Sequence, residues 1–301
     1  MQPPEDVPTA GEMLMLGLGT WENTDHAQCR QSVRQALEMG YRHIDTAQIY
    51  RNERAVGEGI ETASVSREDI FLATKVWITN LDGDTVVEST EESLARLGTD
   101  YVDLLYVHWP AGEYDPAETL AAFERLHDRG AVDRVGVSNF EPDHVDRATE
   151  TLGVPVFANQ VEIHPFLQQR QLRAHAEETG VELVAYSPLA RGAVLSDQTL
   201  GAIAEKHGAS EAQVALAWLR DTASRRFRKP PARPTSATTG RVSPSRWTSV
   251  TSSVSTQSTD RAGRSTPTSP PRPGADSSGG KTAIPDTVGA CADRRCPVSF
   301  T

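Results

Sequence analysis

Three cysteines are too few to staple a chain of 301 residues, and Cys291 and Cys296 stand near its end, far from Cys29. No disulfide framework is expected. No run of about 18 apolar residues occurs, so no membrane partner is expected. The N-terminus lacks the charged-then-apolar pattern of a secretion signal, and a cytoplasmic protein is the expectation. Lysine is scarce: residues 1–222 hold only Lys75 and Lys206. Those residues carry 17 Lys+Arg against 37 Asp+Glu, a net −20, while residues 223–301 carry 13 against 4, a net +9. So acidic a surface repels phosphate backbones, and no nucleic-acid partner is expected. It suits a high-salt cytosol, where it resists association, and it fits an ordinary acidic protein equally. No G-x-G-x-x-G is present, so a Rossmann site is not supported. His108 and His164 have no carboxylate partners at metal spacing, and no metal is expected.

What is present is a repeat. Short apolar, β-branched runs occur at 43–47 (HIDTA), 70–76 (IFLATKV), 102–108 (VDLLYVH), 134–140 (RVGVSNF), 156–162 (VFANQVE) and 182–189 (ELVAYSPL). Helical patterns alternate with them, with apolar residues three and four apart. Several close on a glycine (Gly40, Gly98, Gly130, Gly153, Gly180), as left-handed helix caps do. Strands alternating with helices give a parallel sheet. The number of units favours an α/β fold of the (β/α)8 TIM-barrel type, incomplete, with six of eight strands recognisable. From residue 223 leucine and glutamate disappear, and Ser, Thr, Pro and Gly fill 42 of 79 positions. Residues 1–222 therefore read as a partial barrel, and 223–301 as a low-complexity, disordered tail.

In such barrels the chemistry sits at the C-terminal ends of the strands. Polar and aromatic residues collect there: Asp45 and Tyr50, Lys75 and Trp77, His108 and Trp109, Ser138 and Asn139, Gln160, Tyr186 and Ser187. Lys75 stands out, because a chain that avoids lysine puts one at a position that should be half buried. Trp21, Trp77 and Trp109 could wall an apolar pocket; ordinary packing would account for each as well.

The run Gly40–Ala47 (GYRHIDTA), followed by Glu53, Val56 and Gly57, resembles the signature of the aldo-keto reductases. KVW at 75–77, YVDLLYVHWP at 101–110, GVSNF at 136–140, NQVEIHP at 159–165 and AYSPLARG at 185–192 resemble that family's later motifs in order, over roughly residues 10–222. The resemblance implies NAD(P)H-dependent reduction of aldehydes and ketones to alcohols, with NADP(H) favoured over NAD(H). It implies a monomer acting on a small carbonyl substrate. It places a catalytic tetrad on Asp45, Tyr50, Lys75 and His108. Tyrosine titrates near 10 and is a weak acid at neutral pH. A neighbouring ammonium strengthens it, and a carboxylate keeps that ammonium charged. His108 would orient the carbonyl oxygen. By the same resemblance Thr20, Asp45, Ser138, Asn139, Gln160, Tyr186, Ser187, Leu189 and Arg191 meet the cofactor, and Trp21, Tyr50, Trp77, His108 and Trp109 meet the substrate.

After residue 221 the family would continue with a seventh strand reading Ala-Ile-Pro-Lys-Ala-Thr. The chain reads RFRKPP at 226–231. The codons GCG-ATT-CCG-AAA-GCC-ACC-A encode the first; read one nucleotide later they encode the second. Residues 234–247 behave alike. A single-nucleotide shift between about residues 221 and 226 is the expectation, set against a genuine tail after a shortened barrel. The alternative to an active reductase is a non-catalytic or misfolded product of such a shifted gene, which at most binds nucleotide. Residues 275–282 (ADSSGGKT) imitate a phosphate-binding loop but lack the strand and helix such a loop needs.

Overall fold

The computed structural model describes residues 9–10, 13–14 and 16–224. Strands β1 (Thr9–Ala10) and β2 (Met13–Leu14) form a small antiparallel hairpin. Then β3 (Leu18–Gly19), β4 (His43–Asp45), β5 (Phe71–Val76), β6 (Leu104–Val107), β7 (Val135–Ser138), β8 (Val156–Glu162) and β9 (Glu182–Tyr186) pair in sequence order, every pair parallel. This is the (β/α)8-type barrel with seven strands among the described residues, one more than the six expected. The missed strand, β3, is two residues long and too short to show a period. The His43–Asp45 strand is consequently not an edge: β3 covers it, and in the barrel sheet, among the described residues, the strands paired on one side only are β3 and β9. The 182–189 run is the seventh strand, so a continuation past residue 224 would be the eighth.

Among the described residues eight α-helices surround the sheet: α1 (His26–Glu38), α2 (Glu53–Glu61), α3 (Gly83–Leu97), α4 (Pro116–Asp128), α5 (Pro142–Thr151), α6 (Arg170–Thr179), α7 (Gln198–His207) and α8 (Glu211–Ser224). Their starts are written locally. Asp25, Asp82, Asp115 and Asp197 accept from backbone N–H groups of the first turns of α1, α3, α4 and α7. Gly98 and Gly180 end α3 and α6 in the left-handed conformation. Gly153 does not do the same for α5, which runs out through extended Leu152. The expected boundary at 222 falls inside α8. The predicted tail from 225 on, with its shifted segments and the 275–282 decoy, lies outside the described residues.

Strand alternation sorts the side chains. Ile44, Leu72, Val76, Leu105, Val107, Val135 and Val137 point outward into the shell packed by α1 to α5. Burying each such side chain contributes about 1.5–3 kcal/mol. Phe71, Ala73, Leu104, Tyr106, Ala158 and Val184 point inward, with Met13 of the hairpin among them. Gly136 is required here: a Cβ on it would lie 2.7 Å from the Tyr106 ring. The same inward columns end, one layer higher, on Asp45, Lys75, His108, Ser138, Gln160 and Tyr186.

Candidate active site

Asp45 and Lys75 are inward residues near the ends of β4 and β5, and both side chains are fully buried. Lys75 is thus deeper than the half-buried position the sequence suggests. Its Nζ is ion-paired with Asp45 Oδ1 and donates to Thr46 O at 2.9 Å. Asp45 Oδ2 accepts from Gln160 Nε2 at 2.8 Å, and the Asp45 carbonyl accepts from both the N–H and the hydroxyl of Thr20. Removing either partner of a buried ion pair strands the other charge. Burial works to discharge Lys75, but the Asp45 charge, Tyr50 and the hydrogen bonds to both outweigh it and hold its pKa above the usual value.

Tyr50 closes a 3₁₀ turn, Gln48–Tyr50, that follows β4. Lys75 Nζ lies 5.1 Å from its ring centre. Burial raises the Tyr50 pKa, and the Lys75 charge and hydrogen bond pull it back without cancelling the rise. Lys75 therefore acts in the expected direction, yet the net shift is upward: the phenol keeps its proton at neutral pH. The His108 ring stands edge-on to Tyr50 at 5.9 Å and to Trp77 at 5.1 Å. Burial first, and Lys75 second, push its pKa well below the usual histidine value. His108 is neutral, and its buried Nδ1 has no hydrogen-bond partner among the described residues. A buried polar atom of this kind is costly unless a ligand or water serves it.

The other half of the rim is neutral. Asn139 takes a left-handed backbone conformation (φ 61°) just past β7. Its amide donates to His108 O and Ser138 Oγ, both at 3.0 Å, and accepts from the Tyr186 hydroxyl at 2.9 Å. Ser138 Oγ donates to Gln160 O at 2.8 Å. Burial, then the Glu162 charge, pushes the Tyr186 pKa up to about 12, so its hydroxyl stays a donor. Beyond β9, Ser187, Ala190 and Arg191 are all left-handed, a conformation costing non-glycine residues about 1–3 kcal/mol each. The loop is anchored by Leu189 and Ala190, which pack against the apolar cluster formed by Val194 with residues of α7 and α8.

The sequence-derived residues separate accordingly. Asp45, Tyr50, Lys75, His108 and Trp77 converge. Ser138, Asn139, Gln160 and Tyr186 form one hydrogen-bonded row joined to them through Asp45. Thr20 lies beneath the rim, 1% exposed. Trp21 is exposed and sits under Arg191, whose Cζ is 5.4 Å from its ring. Trp109 follows β6 on the same rim. Leu189 faces the α7–α8 packing, and Ser187 begins the left-handed loop. His164 has a carboxylate neighbour, Glu162, whose Oε1 lies 3.4 Å from its Nε2. Among the described residues no three His, Cys, Asp or Glu side chains converge as a metal site would need. Sequence reasoning missed Gln48, Asn52 and Tyr106. Asn52, buried, ties Thr46 Oγ1 to the Thr20 carbonyl. Its place beside Tyr50 was the one available signal.

A parallel barrel whose strand ends bring a buried lysine–carboxylate pair, a protonated tyrosine and a neutral histidine together defines a class, a (β/α)8-type fold with an acid–base site at the C-terminal ends of its strands. Comparison with known proteins gives the family. The Aldo/keto reductase family profile matches residues 14–259, running past the last recognisable motif. An aldo-keto reductase of Mycolicibacterium smegmatis is 43% identical over 204 residues, covering 67% of this chain and 74% of that one. The glyoxal reductase of Bacillus subtilis (strain 168) is 41% identical over 207 residues, 69% and 75% of the two chains. The crystal structure of a Bombyx mori aldo-keto reductase in complex with NADP superposes with a TM-score of 0.66 at 33% identity, covering 74% of this chain and 81% of that one. The chain belongs to the aldo/keto reductase family.

Proposed function

We propose that this chain reduces small aldehydes and ketones to alcohols with NAD(P)H, using Tyr50 as the proton donor. The observation that carries the reading is the placement of a still-protonated Tyr50 beside the buried, Asp45-paired Lys75 and across from a neutral His108. The donor row of Ser138, Asn139 and Gln160, with the Tyr186 ring beside it, fits a planar carboxamide-bearing ring. Reduced nicotinamide, when bound there, supplies the hydride. The carbonyl oxygen then needs a proton as its carbon–oxygen double bond becomes single, and Tyr50 gives it, leaving a phenolate. Lys75, held charged by Asp45, stabilises that phenolate until water returns the proton. His108, uncharged, can donate a hydrogen bond to the carbonyl oxygen without competing as the acid. Positioned acid catalysis of this kind contributes about 10²–10⁴-fold.

NADP(H) is favoured over NAD(H), supported by the NADP complex of the Bombyx mori relative; a small dicarbonyl is a fitting first substrate, supported by the glyoxal reductase. The test is aldehyde-dependent loss of NADPH absorbance, with NADH alongside. A chain that melts cooperatively and binds NADPH but turns over no aldehyde overturns the reading.

One observation favours a second reading. Among the described residues β3 and β9 are each paired on one side only, and the composition changes abruptly at 223. On this reading the gene carries the single-nucleotide shift, and the chain as written is a catalytically silent relative. Resequencing the codons for residues 215–250 decides it: an extra or missing base supports the shift, and an intact frame removes it.

A further inference from the structure

We infer that Gln48 is a positioning residue for the proton donor, an inference that rests on the reductase reading. Gln48 opens the 3₁₀ turn that Tyr50 closes. Its side chain leaves that turn and crosses to the neighbouring strand. Oε1 accepts from the Trp77 backbone N–H at 2.9 Å and from Asn80 Nδ2 at 3.0 Å. Nε2 donates to Ser89 O at 3.1 Å and Ser93 Oγ at 3.2 Å. A primary amide has two N–H donors and room for two acceptor bonds, and all four are used.

The partners give this tie its meaning. Trp77 is the first residue past β5, two after Lys75, and its ring packs against His108 at 5.1 Å. Ser89 and Ser93 are buried on α3. One side chain therefore fixes the distance between the Tyr50 turn, the strand end bearing Lys75, and the wall of His108. On the opposite side Thr46, Asn52 and Thr20 brace the same segment. Arg51, left-handed at φ 57°, ends the turn directly after Tyr50. Reacting groups displaced by about 1 Å can lose on the order of 10²-fold in rate, so a tie at this point acts on kcat.

Two variants test it. Gln48→Leu removes all four bonds. Gln48→Glu keeps the size and the two acceptor bonds, but a carboxylate cannot donate to the Ser89 carbonyl. The expected result is a kcat lowered roughly tenfold or more in Gln48→Leu and less in Gln48→Glu. The KM for NADPH should stay within about twofold, and the basic limb of the kcat–pH profile should move to higher pH as Lys75 loses its hold on Tyr50. A merely structural glutamine would lower Tm and the active fraction and leave the pH profile where it was. That outcome, or a kcat within about twofold of wild type in both variants, overturns the inference, as does failure of both variants to melt cooperatively. Wild-type chain without turnover fails at an earlier point: it overturns the reductase reading itself.

Discussion

After β4, β5 and β6 the inner rim carries a carboxylate, an ammonium, a phenol and a neutral imidazole within a few ångströms. After β7, β8 and β9 it carries a hydroxyl, two amides and a second phenol, strung together by hydrogen bonds from Tyr186 to Asn139, Asn139 to Ser138, and Ser138 to the Gln160 backbone carbonyl. The first half holds charge that burial opposes, and it stays charged because each ion is the other's partner. The second half holds neutral groups whose needs are met by hydrogen bonds. Gln160 to Asp45 and Asn139 to the His108 carbonyl are the joints between them. The division suits the two tasks proposed for the site, moving a proton and holding a planar neutral ligand, and each half can be disturbed without the other.

The largest effect expected is from Tyr50→Phe, which removes the donor oxygen and leaves the second half intact. Turnover should fall by about 10²–10⁴-fold with NADPH affinity unchanged, measured by steady-state rates and fluorescence titration. Lys75→Met strands the buried Asp45 and should lower stability by about 3–5 kcal/mol, read from urea unfolding. Adding Asp45→Asn should restore much of that loss; no recovery would mean the pair is not the isolated unit described. In the neutral half, Asn139→Gly keeps the left-handed backbone and leaves the Tyr186 hydroxyl and the His108 carbonyl without this partner. A cost of about 1–3 kcal/mol and weaker NADPH binding are expected, with the kcat–pH profile unmoved. The smallest effect is on pH dependence. An unfolded histidine titrates near 6.5, while folded His108 is held neutral to well below that. Between those two pKa values the unfolded chain binds the extra proton, so stability is lost as pH falls below about 6.5. Melting scans between pH 7 and pH 5 should show a shallower decline in His108→Gln than in wild type.

The barrel was legible because short apolar, β-branched runs alternate with helical patterns, several of them closed by a glycine, and because polar residues gather where the runs end. It missed β3 because two residues cannot show a period. It misread Gly153, where the chain leaves α5 through an extended leucine and needs no left-handed cap. The tetrad was legible as residue types at strand ends, and the roles proposed for it come from the resemblance. The direction of the Tyr50 pKa was not legible: the balance between burial and Lys75 depends on depth. Nor was Gln48, whose four partners come from two other segments, the turn at 77–80 and α3.

The central claim is that Tyr50, kept protonated by burial beside a charged Lys75, is the acid. The direct measurement is the pH dependence of kcat for NADPH-dependent aldehyde reduction by the wild-type chain, with Tyr50→Phe as the control. The account predicts a rate that falls only on the basic side, as Tyr50 loses its proton, and a control that binds NADPH yet is nearly inactive. A Tyr50→Phe chain turning over at the wild-type rate with the same pH profile would contradict it.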